Sequence, residues 1–148
     1  MKKVVNFFAV CAIMLVVSVS LVACTTPKKA YDKMKTEITA AGYDVEEWDG
    51  AMKADFTALL SFEITLVSAF TATKETETTT IMLFHRDLLE VNHGTAPTYH
   101  EAGVVMEKLA LNYETGGASG TNGRFVCRST VPDENDSAAF KIFNKRKV

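Results

Sequence analysis

The sequence predicts a small α+β domain of two layers, a mostly antiparallel sheet with helices packed on it. Three observations predict it. Residues 61–84 are rich in β-branched and apolar side chains and are interrupted once, which reads as a central hairpin. Apolar residues recur at helical spacing over about 30–41, 97–113 and 137–144. Internal repeats and a second domain boundary are both missing, so residues 30–148 read as one unit.

The elements follow in order. Tyr31, Met34, Ile38 and Ala41 fall on one helical stripe, and Gly42 stops it. Tyr43 and Val45 suggest a short strand. Asp49 can cap a second helical piece carrying Met52, Phe56 and Leu59 or Leu60. From Ser61 to Thr73, Phe62, Ile64 and Leu66 alternate with Glu63 and Thr65, the period of a strand. Lys74-Glu75 reads as the turn. Thr78 to Phe84 returns without polar alternation at its end, which suits a central strand covered on both faces.

Arg86 to Asn92 reads as one or two helical turns closed by Gly94. The longest predicted helix, 97–113, carries Tyr99, Ala102, Met106, Leu109 and Tyr113, with Thr98 and Glu101 spaced as a capping box. Residues 116–123 read as a glycine-rich loop, with Asn122-Gly123 as a tight turn. Phe125 to Thr130 is a strand. Asp136 or Ser137 can cap a last helix, Ala138 to Asn144, that buries Phe140 and Phe143.

Ahead of this domain lies a different kind of segment. Lys2 and Lys3 precede an apolar run from Val4 to Val17, and Leu21-Val22-Ala23 lead directly into Cys24. Twenty residues from Val4 to Ala23 are also about long enough to span a bilayer. Only lipidation explains a cysteine directly after Leu-Val-Ala, because the reaction needs a thiol as its nucleophile. Residues 1–24 resemble the lipobox signal peptide of bacterial lipoproteins. The resemblance implies cleavage after residue 23, a diacylglyceryl group on the sulfur of Cys24, room for N-acylation, and a tether at 24–29. It further implies attachment to the extracytoplasmic side of a cell membrane, at a cell surface or in a periplasm. One acyl chain holds a membrane marginally and two hold well.

Removing the 23-residue leader from the 148-residue chain leaves 125 residues, enough for one core. Two lysines leave with it, so 14 basic residues face 18 acidic ones. No basic face stands out for nucleic acid. Cys127 is the one thiol left free, so no internal disulfide can hold the domain.

Each candidate for chemistry has a structural reading beside it. Glu90 and His93, three apart, would share a helical face, with His85 and His100 as further ligands. One such pair is half of what helical dimetal sites require, so solvated histidines are the expected reading and no metal or cofactor is implied. The glycine-rich loop follows a helix, where the partial charge is negative and repels phosphate. Cys127 shares a strand face with Phe125 and Ser129, and a buried thiol behaves as a small apolar group. Threonines 71, 73, 76, 78, 79 and 80 could form a hydroxyl array, or serve as β-formers on a wet face. Lys28 and Lys29 near one end, with Lys145, Arg146 and Lys147 at the other, suggest that both ends lie on the membrane side.

The functional expectation is a lipid-anchored, non-enzymatic binding module. Its partners are the bilayer through Cys24, and an envelope protein, polymer or small ligand. Tyr43, Trp48 and Tyr99 are candidates for an exposed aromatic patch. The alternatives are an envelope hydrolase or metal enzyme using histidines and acids within 85–107, and an inhibitor or immunity-type lipoprotein.

Overall fold

The computed structural model describes residues 26–93, 96–110 and 117–146, with the backbone alone at 90–93, 96–100 and 110. Helix α1, Pro27–Ala40, begins where Thr26 accepts a hydrogen bond from the Lys29 amide, with Pro27 in the first turn, where a missing N–H costs little. It buries Tyr31, Met34 and Ile38. Strand β1, Asp44–Glu47, leads to helix α2, Gly50–Ala58, which Asp49 caps through the Met52 amide. The hairpin is strands β2, Leu66–Lys74, and β3, Glu77–Phe84. It starts later than the alternation suggests, because residues 61–65 form no regular pairing; Thr65 is instead pinned to His85.

The largest departures from expectation lie at 86–100. Where a helical turn and the start of a long helix are expected, strands β4, Glu90–His93, and β5, Ala96–His100, pair as a separate antiparallel ribbon. Helix α3 is Glu101–Ala110. Thr98 therefore lies in a strand and cannot cap it, and Glu101 is its first residue rather than its third. Gly94 and Tyr113 lie outside the described residues. Strands β6, Ser119–Asn122, and β7, Phe125–Ser129, form a hairpin around Gly123 and Arg124, so part of the expected glycine-rich loop is a strand. Gly123 takes a left-handed φ of 58°, as an Asn-Gly turn requires. Helix α4, Ala138–Asn144, is capped by Ser137.

The five main strands run antiparallel in the order β1-β2-β3-β7-β6. Alternate residues of the three inner strands enter two separate cores. On the first face Phe70, Ala72, Ile81, Leu83, Phe125 and Cys127 meet Tyr31, Met34 and Ile38 of α1 and Ala139, Phe140 and Phe143 of α4. On the second face Leu66, Ala69, Met82, Phe84 and Val126 meet Phe56 of α2 and Val105 and Leu109 of α3. The α+β class and the antiparallel sheet hold, but the layers number three instead of two. The reason is legible in β3, where Ile81, Met82, Leu83 and Phe84 are consecutive and all buried, so both faces needed a cover. Gly120 belongs to the same packing: a Cβ there would sit 3.0 Å from the Phe140 ring, so glycine lets α4 approach β6.

Candidate functional site

Leu21, Val22, Ala23 and Cys24 lie outside the described residues. Within 85–107 the described side chains form a clasp. Glu101 is 2% exposed, and Arg86 grips its carboxylate with both terminal nitrogens at 2.7 and 2.9 Å. The Leu89 amide donates to the same carboxylate at 2.7 Å. Arg86 also donates to the Asp87 and Glu63 carbonyls, so one side chain ties the loop after β3, the segment before β2 and the start of α3. These bonds from Arg86 hold the Glu101 carboxyl below its ordinary range, against the opposing effect of burial.

Among the described side chains no histidine takes part in it. His85 is exposed, its Nδ1 accepts from the Thr65 amide at 3.0 Å, and its carbonyl accepts from Arg124. Glu90 and His93 sit in an extended strand, where three residues span about 10 Å instead of one helical turn. The pairing that brings Glu90 opposite a histidine is with His100 across the ribbon. Among the described residues no group of three metal-ligating side chains converges.

Cys127 is fully buried between Phe125 and Ser129, and burial pushes its thiol well above the ordinary range, which keeps it protonated and unreactive. Beside it runs a polar string within the first face. Glu77 accepts from Tyr43 at 2.7 Å, from Thr79 at 3.0 Å and from Ser137, and Thr79 also meets Ser129 at 3.0 Å. Ser137 at once caps α4 and bonds the sheet. Burial first, and the bond to Glu77 second, push the Tyr43 phenol upward. Thr79 thus leaves the expected threonine array for a structural role.

The aromatic patch expected at Tyr43, Trp48 and Tyr99 does not form as an exposed surface. Tyr43 is 5% exposed, and Trp48 is half-buried with its indole donating to Thr71 at 2.9 Å; the Tyr99 side chain is not described. The larger exposed apolar side chains are Met52, Leu59, Val67 and Leu89. A shallow open groove of about 300 Å³ lies between α2 and residues 64–66, with Lys53 across it donating to the Val67 carbonyl.

What the sheet does assemble is a polar field on the second face, above the apolar half covered by α2 and α3. Thr71, Thr73, Thr78 and Thr80 share that face with Arg128 and Thr130. Arg128 stands opposite Thr80 on one side and Ser119 on the other. The Thr71 and Thr80 hydroxyls are 3.3 Å apart, and the Thr130 hydroxyl accepts from the Thr78 amide. The buried Nε of Arg128 has no hydrogen-bond acceptor. The threonines were legible as a candidate array; Arg128 was not, because it lies 48 positions after Thr80 and only register puts them together.

Compared with known proteins, the chain matches no family model, no curated protein and no solved structure.

Proposed function

We propose that the chain is a lipid-anchored, extracytoplasmic binding domain that stands on one end of its sheet. The observation carrying this reading is how chain ends and charges divide between the two sheet ends. At one end are the β2–β3 turn, the C-terminal end of α1 leading to Asp44, and the N-terminal end of α4, bonded to Glu77 through Ser137. Pro27 and Asn144 therefore point to the other end, and there the Arg146 carbonyl accepts from Asn122. A helix of 14 residues covers about 21 Å, most of the length of these strands.

Charge follows the same axis. Lys28, Lys29, Arg86, Arg124, Lys145 and Arg146 collect where the described chain begins and ends. The acids there are largely engaged, Asp32 with Lys28, Asp87 with Arg124 and Glu101 with Arg86, and Arg146 pairs with Glu37 in the last turn of α1. The opposite end exposes Asp44, Glu75, Asp133, Glu134 and Asp136. Acylation of Cys24 would leave two residues before α1, so the basic end would meet the headgroups, each unpaired cation adding roughly 1 kcal/mol on an anionic leaflet. The acidic end would stay accessible for binding, as would the exposed Ser119 beside the half-buried Arg128.

Two measurements test it. Palmitate labelling of Cys24→Ala in a bacterial host should be lost, with unprocessed precursor accumulating; a processed, labelled variant overturns the anchor. Lys29→Glu with Lys145→Glu should weaken sedimentation of the Cys24→Ala protein with phosphatidylglycerol vesicles, and unchanged sedimentation overturns the orientation.

A further inference from the structure

We infer that Arg128 and the hydroxyl residues beside it form a binding site for an oxyanion, a carboxylate or phosphate group carried by a small ligand. The inference deepens the reading of this domain as a binding module and does not depend on the lipid anchor.

The sequence holds four arginines, and three have carboxylate partners. Arg86 grips Glu101, Arg146 pairs with Glu37, and Arg124 lies 3.4 Å from Asp87. Arg128 has no ion pair among the described residues, although it is half-buried on an inner strand. Arginines are rarely enclosed without a partner. Leaving a buried donor such as its Nε unsatisfied costs about 1–3 kcal/mol. The site therefore carries a cost that an incoming acceptor would remove.

The neighbours supply the rest of an anion site. Thr80 and Ser119 flank Arg128 in register on adjacent strands, close enough for side chains to meet around one group. Thr80 is buried, whereas Ser119 is exposed, and a hydroxyl rotates to donate or to accept, so that of Ser119 can turn toward ligand oxygens. Trp48 fixes the Thr71 hydroxyl, which in turn lies beside that of Thr80. The planar guanidinium fork matches two oxygens of a carboxylate or phosphate. The oxyanion meets the terminal nitrogens first, and a turn of the long side chain brings Nε into the fork. The acids of β1 on this face, Asp44 and Glu46, are three strands away, about 14 Å at ordinary strand spacing. That exceeds the screening length of about 8 Å at physiological salt, so they do not cancel the cation.

The test is a titration of the full ¹⁵N-labelled chain in neutral detergent with sodium phosphate and, separately, sodium acetate at constant ionic strength. The Arg128 Nε–H resonance and the amides of Thr80 and Ser119 should shift saturably, while the side-chain signals of the other three arginines stay in place. Arg128→Gln should abolish the shifts. Arg128→Lys, which keeps the charge and loses the fork, should weaken binding by about tenfold. Saturation by phosphate alone or by acetate alone supports the site and tells which group the ligand carries. Shifts that grow linearly, or that persist in both variants, overturn it. Acyl labelling of Cys24 is unaffected by either result, so the anchor and the site fail separately.

Discussion

The two faces of the sheet are built from the same strands and end differently. The first face is closed: six aromatic side chains, Tyr31, Tyr43, Phe70, Phe125, Phe140 and Phe143, fill it, and its carboxylate Glu77 is fully engaged by Tyr43, Thr79 and Ser137. The second face has its apolar half covered by α2 and α3 and continues as hydroxyls, Thr80 among them buried, around an arginine that has no carboxylate among the described residues. A polar group whose partners come from its own fold contributes stability. One whose partners are missing costs stability and is therefore the better candidate for binding.

The comparison breaks most readily at the aromatic core. Phe140→Ala should cost about 3–5 kcal/mol, and Leu109→Ala on the other face about 2–5 kcal/mol, read from urea unfolding. A loss below about 1 kcal/mol for Leu109→Ala would mean that α3 does not close the second face.

The Arg86–Glu101 clasp comes next. Arg86→Ala should cost about 2–3 kcal/mol at neutral pH, because it leaves the buried Glu101 carboxylate with the Leu89 amide alone. The folded-state pKa of Glu101 is depressed below 4.5, so the clasp's stabilisation is complete above 4.5 and fades as pH falls through the lower folded value. Unfolding midpoints of the wild type and Arg86→Ala should therefore converge as pH is lowered below 4.5. A gap that stays constant would assign the effect to packing.

Smaller effects separate structural from free polar groups. Ser137→Ala, losing both the cap and the bond to Glu77, should lower stability by about 1 kcal/mol in thermal unfolding. Arg128→Gln should cost nothing and gain up to about 1–3 kcal/mol, since it breaks no ion pair among the described residues and removes the unsatisfied Nε donor. A loss as large as that of Ser137→Ala would move Arg128 to the structural side of the comparison.

Much of the local structure was legible. Helices α1 and α4 follow from the stripes Tyr31-Met34-Ile38 and Phe140-Phe143, and Asp49 and Ser137 cap where their oxygens can reach the third amide onward. The turn at Gly123 follows from the need for a positive φ. The segment at 86–100 was misread because Tyr99 is in phase with the true stripe of α3, Ala102, Val105 and Leu109, and so lengthened it backward. Glu101 looked like a capping residue, but its carboxylate is drawn off by Arg86, fifteen positions earlier.

Taken alone, then, the sequence determined the α+β class, the caps at Asp49 and Ser137, the turn at Gly123 and the buried state of Cys127. All of these rest on neighbours within a few positions, where periodicity and backbone sterics act directly. Tertiary structure alone decided that helices cover both faces, that Glu101 is a buried anchor, and that Arg128 stands among Thr71, Thr80 and Ser119. Those depend on strand register between distant segments, which no local pattern encodes.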